Sequence, residues 1–236
     1  MTSKSAAKFD NARAREYARQ SRIGLAGYDA CHELSACMLA AALGEGTDAR
    51  ILVVGAGGTA GEIIAAAMLE PHWSFVAVDP SPPMLDLARE FLDQAALSNR
   101  VEMILGPLTD LDPTPSFDAA IMIGVLHHLP TDQEKSDILA QISKRLKPGA
   151  PFVVAGNYRS YASEPLLMAA WANRWRMNGA DAAEVKAKQG KLLEGAEPPP
   201  SEQAVITLLA DAGFHDPIRF FASLFWGAWL ARRIQV

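Results

Sequence analysis

Cysteine is nearly absent from this chain: two occur in 236 residues, Cys31 and Cys37, six positions apart in one helical stretch. That count excludes a disulfide framework and a four-ligand zinc site, and it suits a reducing, cytoplasmic setting. Long apolar runs are missing too. The longest, Phe220 to Ala231, falls short of the roughly 18 to 20 residues of a membrane span, and Met1 to Asp10 hold no apolar signal core. Positive charge is scarce: 22 Lys and Arg against 27 Asp and Glu leave a net charge of −5 and a pI near 5.6. Nucleic acid is therefore an unfavoured partner, because neutralising phosphates needs a basic surplus. No metal is expected, since carboxylates and imidazoles do not cluster at ligand spacing and His32, His72 and His215 stand alone.

What is present is apolar: half the residues are hydrophobic, ample for one domain spanning 1–236. Its expected parts are an N-terminal helical cap (1–48), a core (49–156), a helical insertion (157–200) and a C-terminal helix with two strands (201–236). The cap reads as helices over 8–24 and 29–43. From residue 50 strands and helices alternate: strands at 51–55, 74–79, 100–105, 117–124 and 151–156, helices at 61–69, 82–95 and 132–146. That rhythm predicts an α/β fold with a doubly wound, Rossmann-like sheet of seven strands, the last two near 215–221 and 224–232. Ser81 before Pro82 and Thr131-Asp-Gln-Glu134 are helix-start signals.

Ile51-Leu-Val-Val-Gly55-Ala56-Gly57-Gly58-Thr59-Ala60-Gly61 is an apolar strand entering a glycine-rich turn, and Trp73 to Asp79 is a second strand ending in an acid. Glycines permit a tight strand-to-helix turn and let a ligand approach the backbone. A carboxylate at the tip of the next strand is placed to accept ribose hydroxyls. A nucleoside-containing ligand follows, and the same Gly-x-Gly-x-x-Ala pattern would also serve an NAD(P)-dependent oxidoreductase.

After Asp79 comes Pro80-Ser-Pro-Pro-Met84, a proline-stiffened turn, and the fourth strand reads Phe117-Asp-Ala-Ala-Ile-Met-Ile123-Gly-Val-Leu-His127-His128. With the glycine turn and the acid, this order of motifs over 50–156 resembles the class I S-adenosylmethionine-dependent methyltransferases. The resemblance implies a Rossmann-like methyltransferase sheet with S-adenosylmethionine as cofactor. It places the methionine portion at Gly55, Ala56, Gly57 and Gly58 and the ribose at Asp79, with Pro80, Met84, Pro107, Leu108 and Ile123 flanking the rest. Where that family usually carries an acid for the adenine amino group, this chain has Gly106-Pro107-Leu108-Thr109-Asp110, so Leu108 backbone or Asp110 is expected to serve.

A narrower resemblance lies outside that core, in Phe9-Asp10, Leu25-Ala-Gly-Tyr28, Met177 to Glu194 and Phe225-Trp-Gly-Ala-Trp-Leu-Ala231. These segments look like the carboxy-S-adenosylmethionine synthases, which use prephenate, and their methyltransferase relatives. The resemblance implies that Tyr28 contacts the cofactor and that the protein is a homodimer. Those synthases hold their extra carboxylate with an arginine, where this chain has Gly190. Losing a bidentate guanidinium costs roughly 1.5 to 3 kcal/mol, so transfer of a methyl group to a small molecule is the expected reaction.

His127 and His128, at the rim where parallel sheets hold ligands, are candidate catalytic residues, as is Tyr158, in the Asn157-Tyr158-Arg159 segment that leaves the fifth strand beside the expected methyl group. Trp171, Trp175 and Met177 could wall an aromatic acceptor. Six basic against three acidic residues between Arg159 and Lys191 hint at an anionic one. Five aromatic side chains between Phe220 and Trp229 are more than two strands can hide in one subunit, a second argument for a homodimer.

Overall fold

The computed structural model describes residues 11–114 and 116–235. Phe9-Asp10 and the expected first turn from residue 8 lie outside the described residues. Seven strands form one sheet in the order β3-β2-β1-β4-β5-β7-β6. β1 (Arg50–Val54), β2 (Ser74–Asp79), β3 (Val101–Leu105), β4 (Ala119–Ile123) and β5 (Pro151–Asn157) are parallel. β7 (Trp226–Arg233) pairs antiparallel with β5, and β6 (Phe214–Ser223) pairs antiparallel with β7 at the edge. This is the doubly wound, Rossmann-like sheet of seven strands that the sequence predicts.

The central strands are continuous apolar runs because helices cover both of their faces. On one face Leu52, Val54, Met122 and Phe152 pack with Leu139 and Ile142 of α5 (Asp132–Arg145) and Leu209 of α8 (Glu202–Asp211). On the other, Ile51, Val53, Phe75 and Ile121 meet Leu39 of α2 (Tyr28–Leu43), Ile63 of α3 (Gly61–Leu69) and Leu92 of α4 (Pro82–Gln94). Odd and even residues of β1 thus divide between two cores, as the two-residue period of a strand requires.

The insertion folds into α6 (Pro165–Met177) and α7 (Ala182–Gly195). Trp171 and Trp175 point inward with Val185 and Phe225, whereas Met177 is 85% exposed and forms no wall. α6 is pinned to the end of α1 (Asn11–Gly24): Trp171 Nε1 donates to the Gly24 carbonyl at 2.7 Å and Arg174 Nε to that of Ile23 at 3.0 Å. Those carbonyls belong to the last turn of α1, where helical partners run out, so the contact satisfies the helix end and joins two segments about 150 residues apart.

Two local expectations shift. Thr131 Oγ1 accepts from the Glu134 N–H at the start of α5, but Ser81, although at the cap position of α4, makes no side-chain cap bond. The five aromatic side chains behind the homodimer expectation are hidden in part. Phe225 and Trp229 are buried, and Phe220, Phe221 and Trp226 are half-buried against the chain itself. No helix among the described residues is long and apolar enough to cross a membrane.

Candidate functional site

A cavity of about 720 Å³ opens at the carboxyl ends of the parallel strands, at the β1/β4 junction where the strand order reverses and where open α/β sheets hold their ligands. One wall is backbone. The turn after β1 contributes Gly55 and Gly57, the end of β2 contributes Asp79, and the turn after β4 contributes Ile123, Gly124 and Val125. Gly55 has φ +71, and a Cβ there would be driven into the Val125 side chain. A Cβ on Gly57 would lie 2.5 Å from the Met84 Cβ and 2.8 Å from Asp79 Oδ2. At both positions only a bare backbone fits, which keeps the turn open as a cradle.

Asp79 is 6% exposed, and its two oxygens are held apart by separate donors. Gly57 N–H donates to Oδ2 at 3.0 Å and Ser81 N–H to Oδ1 at 2.8 Å. Burial pushes the carboxyl above its usual range, opposed by those two backbone hydrogen bonds. A carboxylate offers about four lone-pair sites, so the group keeps acceptor capacity for a pair of hydroxyls. A bare-backbone turn beside a fixed acceptor is the donor set that an adenosyl group with an amino-acid tail requires, and the residues present fit it.

The opposite wall is made of side chains from α1, α2, α6 and α7. Tyr28, Trp171, Trp175, Lys188 and Lys191 line it. Tyr28 is buried, with its hydroxyl 2.6 Å from Thr59 Oγ1. Burial, with the Glu62 charge adding, pushes that hydroxyl up to about 12, so it stays protonated near neutrality. His32, one turn after Tyr28, packs its ring against the start of α3 and forms a buried pair with Glu62 (3.4 Å), while Nδ1 meets the Tyr28 carbonyl at 2.8 Å. Burial by itself would lower the imidazole, but the Glu62 hydrogen bond and charge outweigh it and the net direction is upward.

Of the residues expected at the site, Tyr28, Gly55, Gly57, Asp79, Met84, Ile123, His127 and His128 line this cavity. Six others do not. Ala56 is buried in the core beneath the turn, and Gly58 (φ +120) faces the Tyr17 ring, where a Cβ would stand 2.5 Å away. Pro80 only continues the chain from β2 into α4. Leu108 packs into the core beside α5, and Pro107 leads the short 3₁₀ turn that carries it.

Tyr158 is the clearest correction. It follows Asn157, which faces the cavity, so strand alternation sends it to the other face. There it is 3% exposed, edge-on to Trp229 at 5.1 Å, and accepts from Arg159 at 3.1 Å, so its hydroxyl does not reach this site.

The two histidines separate. His127 is buried, and the Asn157 backbone N–H donates to its Nδ1 at 3.3 Å. That nitrogen is therefore engaged as an acceptor within the protein. His128, half-buried, occupies the rim.

Asn157, expected with Tyr158 and Arg159 beside the methyl group, lines the cavity, as do His32, Thr59, Glu62 and Trp226, which were not given a role from sequence. The one available signal was the Tyr28–His32 spacing of four, which puts both on one helix face. Among the described residues no three His, Cys, Asp or Glu side chains gather as a metal site.

Residues 52–152 match the family model described as a methyltransferase domain. No curated protein matches the chain. Among solved structures, it is similar to a possible exported protein from Bordetella parapertussis (TM-score 0.64, 19% identity, covering 87% of this chain and 67% of that one). It is also similar to human N-acetylserotonin methyltransferase in complex with S-adenosylmethionine (0.60, 19%, 88% and 54%). A third is an O-methyltransferase family 2 protein from Planctomyces limnophilus in complex with apigenin (0.58, 19%, 79% and 50%). The chain spans between half and two thirds of the length of these structures. At such identities the likeness is one of fold. The matched segment, less than half of this chain, is similar to a methyltransferase domain, and the solved structures share its fold.

Proposed function

We propose that this protein transfers a methyl group from S-adenosylmethionine to an oxygen of a small, planar acceptor molecule. The observation that carries the reading is the Asp79 carboxylate fixed beside the bare Gly57 backbone in a cavity whose far wall is aromatic. In this reading Gly55 and Gly57 receive the amino-acid tail, Asp79 accepts both ribose hydroxyls, and Met84 and Ile123 flank the nucleoside. Tyr28, held by Thr59, closes the cavity over it.

S-Adenosylmethionine, when bound, supplies the methyl group on a sulfonium, already activated for in-line displacement. The chain's task is then alignment and exclusion of water. Trp171 and Trp175, stacked at 5.4 Å, present a rigid flat surface to the acceptor. His128 at the rim is the side chain that takes the acceptor's proton, since His127 Nδ1 already accepts from the Asn157 N–H. Lys188, bonded to Gln20 at 2.9 Å, ties α7 to α1 over the cavity.

Oxygen is the favoured acceptor atom because an apigenin-bound O-methyltransferase family 2 protein is among the similar folds. The finer placement, beside the carboxy-S-adenosylmethionine synthase-like methyltransferases, rests on Tyr28 at the cavity and Lys188 and Lys191 near Gly190. Free Cys31 and Cys37 suit a reducing compartment.

Calorimetric titration with S-adenosylhomocysteine and with NAD tests the proposal. Saturable binding of the first and not of the second is expected. Tighter binding of NAD would overturn it.

A further inference from the structure

His32 sits where α2 meets the start of α3, and both of its ring nitrogens face acceptors. Nδ1 lies 2.8 Å from the Tyr28 carbonyl oxygen, and Nε2 lies 3.4 Å from Glu62 Oε2. Neither a carbonyl nor an ionised carboxylate has a proton to give. A neutral imidazole carries one N–H and would aim its other lone pair at an oxygen, whereas the imidazolium donates to both. The side chains of His32 and Glu62 are only 5% and 10% exposed, so solvent does little to relieve that conflict.

The ring also touches what surrounds the cofactor cradle. It lies 4.3 Å from the Tyr28 ring and packs against Gly61, where a Cβ would stand 3.1 Å from it. Tyr28 in turn bonds Thr59 at 2.6 Å, and Thr59, Gly61 and Glu62 continue the turn that carries Gly55 and Gly57. Tyr28, His32, Thr59 and Glu62 all line the cavity.

We propose that His32 is a positioning residue for cofactor binding: as an imidazolium it clamps Tyr28 and the far end of the glycine turn together, and loss of its proton weakens the hold on the cofactor. This rests on the methyltransferase reading. The imidazolium is no general base, because neither nitrogen then has a lone pair to offer. Among the described residues, the charged groups about it are Glu62 from α3, Asp29 on its own helix and, across the Tyr28 ring, Arg22 of α1, which is itself bonded to Asp29 at 2.8 Å. Burial pushes Tyr28 and Cys31 up to about 12, so both stay neutral where His32 titrates. The folded His32 pKa is raised, so the clamp is complete below the ordinary value near 6.5 and fades as pH climbs through the folded one. Asp79, also raised, loses its charge as pH falls, which is the opposite direction.

Calorimetric titration of S-adenosylhomocysteine from about pH 6 to about pH 9, a span that brackets histidine ionisation, tests this in the full chain, His32→Gln and Glu62→Gln. The first variant keeps an N–H toward Glu62 at every pH, and the second supplies an amide that can donate to a neutral ring, so neither holds a contact that titrates. Relative to both, the unmodified protein should lose affinity as pH rises, by about fivefold or more, the usual strength of coupling between linked sites. The ligand's own amino group titrates in all three proteins and cancels in that ratio. By reciprocity, ligand should raise the His32 pKa followed by NMR by the same factor. Parallel pH profiles in the three proteins overturn the clamp, as does a His32 titration that ligand leaves unmoved. A merely structural role would lower the melting temperature and leave both readouts flat. If one variant fails to fold by circular dichroism, the other variant and the NMR titration decide. No binding by the unmodified protein at any pH overturns the methyltransferase reading and this inference with it, whereas binding with a flat relative profile overturns this inference alone.

Discussion

The two walls of the cavity are built from different materials. The wall after β1, β2 and β4 is mostly backbone, a glycine turn plus one carboxylate, and its residues lie close in sequence. The facing wall is side chains, brought together from α1, α2, α6, α7 and the start of β7 across nearly the whole chain. A backbone cradle is fixed by sterics and tolerates little change. An aromatic wall is fixed by packing and can be altered without disturbing the cradle. That division suits an invariant cofactor on one side and a specific acceptor on the other.

The largest expected effect lies in the aromatic wall and is one of stability. Trp171→Ala removes a nearly fully buried indole stacked on Trp175 and bonded to the end of α1, and losses of this kind cost about 3–5 kcal/mol. A thermal melt should show the loss, while S-adenosylhomocysteine affinity in the folded fraction stays within a few-fold. An equal collapse of cofactor affinity would mean that the two walls are one unit.

Next comes the cradle. Gly57→Ala places a methyl group 2.5 Å from the Met84 Cβ, and overpacking of this size costs about 1–3 kcal/mol. Most of that should appear as weaker S-adenosylhomocysteine binding by calorimetry, and retained affinity would remove the cradle from the account.

The smallest effect concerns the His32–Glu62 pair behind Tyr28. The folded pKa of His32 is raised, so its contribution to stability is complete below the unfolded value near 6.5 and fades as pH climbs through the folded one. Glu62→Gln should therefore cost about 1–2 kcal/mol at pH 6 and progressively less at alkaline pH. Denaturant melts across that range check the sign, and a cost growing with pH would contradict the pair.

The same contrast explains what could be read from the sequence. The glycine turn, Asp79 and the strand order were legible because each is a local pattern: an apolar run, a turn requirement, an acid at a strand tip. The facing wall was not, since nothing near residue 157 in sequence announces residue 226. Within the Asn157-Tyr158-Arg159 segment the catalytic role was assigned one residue out of strand phase. Asn157 and Tyr158 point to opposite faces, and Tyr158 faces Trp229 while Asn157 lines the cavity. His32 was passed over because an isolated histidine in a helix carries no signal until Glu62, thirty residues on, is folded against it. Pro107 and Leu108 came from motif order alone, and in the fold the segment turns Leu108 into the core.

The central claim is that the Asp79 carboxylate, fixed between the Gly57 and Ser81 backbone amides, grips the sugar of the cofactor. Calorimetric titration of S-adenosylhomocysteine into the unmodified protein and into Asp79→Ala measures it directly. Loss of hydrogen bonds to a charged group is worth about 1.5–3 kcal/mol each, so affinity should fall at least about tenfold in the variant with the fold intact. Unchanged affinity in Asp79→Ala would contradict the account.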